Sequence, residues 1–272
     1  MRNKSFIALE CKQLFRSRWI QIVSVLFTVL FTSIIVIQQL AMPDIEGFSR
    51  QTAALLNGLL FLLPLFLLTL GSMNVASDVE TGWFGLLMTY PVTVSQYVRS
   101  KYSAILFTFS LMVVLALSVV FLIGGSIGGV KLPLVFIFLT TETILIFASI
   151  SVALGSMVKN RLHALAVALG VWVVVTLLFS YIIMAVGTVI AGHMLQKLTI
   201  VLIHLNPLEW IRFSYFLYTD QTAVLGPSFY DFSNFYQSTV GLILYVVFTA
   251  LWIVVPLLFA RLNLSKKGGS NR

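Results

Sequence analysis

The sequence predicts an all-α integral membrane protein with six transmembrane helices. Three observations predict it. First, 59% of the 272 residues are hydrophobic and only 10% are charged, with a mean hydropathy of +1.02; a soluble domain carries about a quarter charged residues. Second, the apolar runs are continuous and long enough for a helix to cross ~30 Å of hydrocarbon. Barrel strands are short and alternating instead. Third, lysine and arginine concentrate in alternate connections between the runs, as they do in helical membrane proteins.

The net charge of +8 therefore marks span ends and does not imply a nucleic-acid partner. Cys11 is the one cysteine, which excludes an intrachain disulfide and a cysteine-based metal framework. Residues 1–18 are polar and basic, without an early apolar core or small-residue cleavage site, and do not read as a cleavable signal peptide. Within them Ile7, Cys11, Leu14 and Phe15 recur at helical spacing. They predict an amphipathic helix lying in the interface and entering the bilayer at Trp19.

The transmembrane domain, residues 19–260, holds six runs: about Trp19–Leu40, Thr52–Val75, Tyr102–Ile123, Leu132–Val158, Ala164–Ala191 and Thr239–Ala260. Pro64 and Pro256 lie inside the second and sixth, where a proline frees a backbone carbonyl. Residues 261–272 read as a solvated tail. The N-terminal segment, the connections after the second and fourth runs, and the tail carry thirteen of the 17 lysines and arginines. The other four are Arg50, Lys131, Lys197 and Arg212. This asymmetry places both termini in the cytoplasm, and an even number of spans agrees.

On the outer side, residues 124–131 predict a glycine-rich turn. The last outer connection, about 192–238, is long. Asn206 is placed to cap a helix with Pro207 at its first position. Trp210, Phe213, Phe216 and Leu217 would form its apolar face, with Glu209, Arg212 and Asp220 polar. Within the spans, Gly155 with Ser156, and Ala164 and Ala168 with Gly170, permit close helix approach.

Catalytic patterns are missing. The chain has no G-x-x-x-x-G-K-[ST] phosphate loop and no H-E-x-x-H. His163, His193 and His204 are far apart in sequence, and a soft-metal site at His193, Met194 and His204 is the weaker reading beside interfacial histidines. Glu142 falls near the middle of the fourth span, where a carboxylate is costly unless it faces protein or water or binds a proton. It either lines a cavity near substrate or makes a structural hydrogen bond to a neighbouring span; both readings stand. Neither a cofactor nor a metal is expected in this chain.

One polar stretch on the cytoplasmic side offers a surface to a soluble partner: Ser77–Lys101, SDVETGWFGLLMTYPVTVSQYVRSK. Its run Glu80–Met88 predicts a short helix with Phe84, Leu87 and Met88 on one side, ended by Pro91. Its order is Asp78, Glu80 and Gly82, the apolar residues Phe84, Leu86 and Leu87, then Tyr90-Pro91-Val92 and the basic close at Arg99 and Lys101. This order resembles the permease subunits of type-2 ABC exporters. Arg16–Trp19, Asn206-Pro207, the topology and the length fit as well. The turn and the size look closest to NosY-like permeases, which act with a cytosolic ATPase and an extracytoplasmic partner in maturing the copper sites of nitrous oxide reductase. Trp83 and Val94 depart from the family pattern, which has Thr and Arg there.

The resemblance implies a non-catalytic subunit of the cell membrane, working as a pair of permeases. It implies a cytosolic ATPase dimer that binds ATP and Mg, and a substrate path at the dimer interface lined by the first, second and fifth spans. Asp78, Glu80, Gly82, Trp83, Phe84, Leu87, Met88 and Pro91 would form the ATPase-coupling element. The alternatives are an exporter of a peptide, lipid or drug-like cargo, and a membrane-embedded enzyme or assembly factor using Glu142.

Overall fold

The structure, a computed structural model, describes residues 3–41, 48–127, 134–219 and 221–269. Among them every regular element is helical. A short helix α1 (Asn3–Phe15) is followed by α2 (Arg18–Ala41), α3 (Phe48–Glu80), α4 (Trp83–Leu87), α5 (Val94–Ile127) and α6 (Leu134–Met157). Next come α7 (Arg161–Val173), a π-helical turn (Val174–Leu178) and α8 (Phe179–Gly187), continuous with one another. Then follow α9 (Gly192–Leu205), α10 (Pro207–Tyr218), α11 (Tyr230–Gln237) and α12 (Thr239–Gly269). Six helical segments are long and apolar enough to cross a membrane: α2, α3, α5, α6, α7 through α8, and α12.

The six expected runs correspond to these helices, with differences at their ends. The expected tail continues α12 as helix through Gly269. The fifth span ends at Gly187, four residues early. The tip of the expected turn at residues 128–131 lies outside the described residues, and Gly124–Ile127 extend α5. The long connection holds more structure than expected: α9 and α11 flank the predicted helix, with 3₁₀ turns at Thr222–Leu225 and Pro227–Phe229.

In lipid, apolar burial does not drive helices together; close packing and hydrogen bonds do. The centre of the bundle shows both. Gly71 of α3 faces Ser151 of α6, where a Cβ would stand 2.3 Å from the serine oxygen. Gly155 of α6 faces the backbone of Ser72, 2.5 Å from such a Cβ. These two contacts let α3 and α6 touch backbone to backbone, and α6 is the most enclosed span. Ala164 and Ala168 are buried as expected, but Gly170 meets nothing and plays no packing role. Phe27, Phe31 and Ile35 of α2 and Leu59, Leu63 and Leu67 of α3 enter the core at i, i+4 spacing.

Two interruptions of the helical ladder lie beside hydrogen bonds from other helices. Pro64 lies inside α3, and the indole of Trp172 donates to the nearby Phe61 carbonyl at 3.0 Å. The π-turn in the fifth span offers the Val175 carbonyl to Asn206, whose amide donates at 2.9 Å. Asn206 caps α10 as predicted, accepting from Leu208 N at 3.0 Å, with Pro207 in the first turn. Trp210, Phe213 and Leu217 are buried, and Phe216 packs at the core edge.

Candidate coupling site

Helix α3 runs on to Glu80 and then stops. Thr81 N donates to Ser77 O at 2.9 Å, and Gly82 adopts φ 75°. That left-handed conformation suits glycine, because a Cβ would crowd the following carbonyl. A Cβ here would meet no other atom within 4 Å, so the constraint is purely conformational. Gly82→Ala should therefore lower stability by about 1 kcal/mol with no change in packing, read as a shift in the thermal midpoint of the purified protein.

Gly82 also turns the chain into α4. The expected helix Glu80–Met88 is shortened to Trp83–Leu87, because Glu80 closes α3 and residues 81–82 form the corner. Turns follow α4: Met88 N bonds Phe84 O, and Tyr90 N bonds Leu87 O at 3.2 Å. Pro91 thus lies beyond the helix end and does not itself stop it. Helix α5 then begins with a reciprocal capping box. Thr93 N donates to Gln96 Oε1 at 2.9 Å, and Gln96 N donates to Thr93 Oγ1 at 3.2 Å. The spacing Thr93-x-x-Gln96 carried that signal in the sequence.

The face of α4 differs from expectation. Phe84 and Leu87 point into the protein's own core, and Met88 packs against it. Phe84 meets Tyr97 of α5 edge to face, with ring centroids 5.1 Å apart. The side chains left outward are Trp83 and Leu86, 37% and 50% exposed, with Tyr90 beyond them. The i, i+3, i+4 pattern was real, but the partner it found is the bundle itself.

Asp78 is likewise internal and forms no part of an outer surface. It joins a fully buried charge cluster centred on Lys101. The ammonium contacts Glu10 Oε2 at 2.6 Å, Asp78 Oδ2 at 2.8 Å and Asn74 Oδ1 at 2.9 Å. The phenol of Tyr97 donates to Asp78 at 2.7 Å. Four polar groups from α1, α3 and α5 thus close around one cation, directly behind α4. Burial raises the Glu10 carboxyl above its ordinary value, opposed by the adjacent Lys101 and reinforced by Asp78. Glu10 Oε1 accepts no hydrogen bond among the described residues.

Sequence reasoning assigned Lys101 to a basic loop end and overlooked Glu10. The signal was present: Glu10 stands three residues after Ile7 and four before Leu14, on the apolar face of α1. Glu80, by contrast, is on the surface. It accepts from Arg161 Nε at 3.0 Å and from Arg161 N at 3.1 Å, tying the end of α3 to the start of α7.

Glu142 belongs to a separate network between spans. Its Oε1 accepts from the Tyr245 phenol and, at 2.9 Å, from Thr249. Ser214 lies 2.7 Å from the Tyr245 oxygen, and the Trp210 indole donates to Thr249 at 3.0 Å. Glu142 therefore joins α6 to α12 and, through them, to α10. These bonds match the structural reading of Glu142, a carboxylate hydrogen-bonded to a neighbouring span. Its second oxygen accepts no hydrogen bond among the described residues.

His204 is likewise embedded, between the Ile200 carbonyl and the Tyr236 phenol, 2.7 Å from each. His193 and Met194 are exposed. Among the described residues no group of three His, Cys, Asp or Glu side chains is placed to hold a metal.

Six spans, a helix lying before the first, and a short helix folded back between the second and third are now in place. The sequence matches the ABC-2 family transporter protein family over residues 5–268. The chain belongs to that family. It is thus an ABC-2 type transporter permease, a multi-pass protein of the cytoplasmic membrane. It is 28% identical over 207 residues to a probable ABC transporter permease protein NosY of Stutzerimonas stutzeri. The alignment covers 72% of this chain and 75% of that relative. A probable NosY permease of Pseudomonas aeruginosa matches at the same identity and coverage.

Proposed function

We propose that this permease converts the nucleotide-driven movement of a separate cytosolic ATPase pair into motion of its spans, and that it does so as one of two permease copies. In this reading ATP and Mg are bound by the ATPase, and both termini lie in the cytoplasm. The observation that carries it is the setting of α4. A lever needs an outward surface for the motor and a rigid inward attachment. Trp83 and Leu86 supply the first, while Phe84, Leu87 and the cluster around Lys101 supply the second. Motion imposed on α4 then passes to α1, α3 and α5 together.

The narrower reading, a role in maturing the copper sites of nitrous oxide reductase with an extracytoplasmic partner, rests on the resemblance to NosY-like permeases alone. A membrane-embedded enzyme using Glu142 is disfavoured, because that carboxylate is engaged by Tyr245 and Thr249. Co-expression with a cytosolic ABC ATPase, sought among the neighbouring genes, tests the main reading. The ATPase should co-purify, and its ATP hydrolysis in proteoliposomes should differ from that of the ATPase alone. An ATPase that neither co-purifies nor changes rate would refute the coupling.

A further inference from the structure

We propose that the open hollow where α6 gives way to α7, beside the end of α12, holds the phosphate headgroup of an anionic phospholipid. The hollow measures about 450 Å³ and is lined by Met157, Val158, Lys159, Asn160, His163 and Val167, with Ala166. It offers two chemistries side by side. Its wall is apolar, and Met157 and Val167 are exposed there. Its rim is cationic. Lys159 is in the lining, and Lys267 of α12, just outside it, donates to the carbonyl of the lining residue Val158 at 2.8 Å. Lys159 lies close enough to Lys267 for the two charges to repel.

Among the described residues no carboxylate pairs with Lys159 or Lys267. Glu80, which reaches the start of α7, is already engaged by Arg161. Two like charges held together without a counterion favour an anion between them. The first-turn amides of α7 do not supply the site. Arg161 N is taken by Glu80, and His163 N by the Asn160 side chain at 2.8 Å. Recognition therefore falls to Lys159, Lys267 and His163.

Depth identifies the occupant. Met157 closes the fourth apolar span and Val167 lies near the start of the fifth, so the hollow sits at the ends of two spans, where a headgroup would lie. A free phosphate would leave the apolar wall uncovered, and a soluble protein reaches only the polar side. A phospholipid covers the wall with its chains and the lysines with its phosphate. Basic pockets between helix ends bind anionic headgroups in this way.

The test is native mass spectrometry of the full-length permease in detergent. It is titrated separately with phosphatidylglycerol, with phosphatidylcholine of the same chains, and with inorganic phosphate. Phosphatidylglycerol adducts should dominate. Lys267→Gln and Lys159→Gln should each weaken them about fivefold, and Lys197→Gln at the other end should not. Ala166→Phe, which fills the wall and leaves every charge in place, should weaken them too, and it keeps the test open if the lysine variants do not fold. Equal retention of both lipids would overturn the proposal. So would retention of phosphate without preference for the lipid, or a loss in Lys197→Gln as large as in Lys267→Gln.

Discussion

Lys101→Met should be the most destabilising single substitution in this permease, lowering stability by about 3–5 kcal/mol. The cation is completely buried, and its removal leaves Glu10 and Asp78 facing each other in a site that water does not reach. Breaking one member of a buried cluster is costly because the partners keep their desolvation penalty and lose their compensation. Neutralising the partners should recover much of the loss. The triple variant Lys101→Met, Glu10→Gln, Asp78→Asn should therefore unfold at a higher temperature than the single variant.

Glu10→Gln alone should cost less, because the amide keeps an oxygen for the Lys101 ammonium and Asp78 and Asn74 still hold the cation. The sign of the pH dependence follows. The native state holds the Glu10 proton more tightly than the unfolded chain, whose value is 4.5. Stability from this group is full below pH 4.5 and falls as pH rises from there through the raised native value. Glu10→Gln removes that slope. Thermal melts of the wild type and the three variants across this range decide the matter. A Lys101→Met midpoint equal to wild type would show that the cluster holds nothing together.

What could be read from the sequence depended on which forces act locally. Span existence and the Asn206-Pro207 helix start were legible, because hydropathy and capping are properties of a few neighbouring residues. The face of α4 was not. Phe84, Leu87 and Met88 announce an apolar stripe, but periodicity does not say whether the stripe meets a partner or the chain's own core. Lys101 misled for a related reason: positive charges usually mark water-exposed span ends, and only the arrival of Glu10 from α1 and Asp78 from α3 makes its burial tolerable. Glu142 was ambiguous in the sequence because Tyr245 and Thr249, its partners, lie about a hundred residues away. The π-turn at Val174–Leu178 has no composition signal at all; its released carbonyl is met by Asn206, thirty-one residues on.

The corrected face of α4 yields the second large effect. Trp83→Ala combined with Leu86→Ser should weaken ATPase association by at least about thirtyfold, the loss expected when an interface loses its central aromatic anchor. The permease itself should lose much less, since Trp83 and Leu86 are 37% and 50% exposed and neither belongs to the buried core. Phe84→Ala should do the reverse in order of events. It removes a buried ring packed on Tyr97 and should lower the permease's own stability by about 3 kcal/mol, with any loss of ATPase binding following from the loosened helix. Two measurements on each variant separate the cases: the thermal midpoint of the permease alone, and the amount of ATPase retained on the tagged permease as salt and dilution increase. Glu80→Gln supplies the baseline, because an exposed ion pair with Arg161 is worth at most about 1 kcal/mol. If Phe84→Ala kept the wild-type midpoint yet released the ATPase, while Trp83→Ala with Leu86→Ser retained it, the docking face would be the inward stripe after all. That outcome would require α4 to swing out of the core when the motor binds, exposing Phe84 and Leu87 and breaking the edge-to-face contact of Phe84 with Tyr97, at a cost the motor would have to offset with its own contacts.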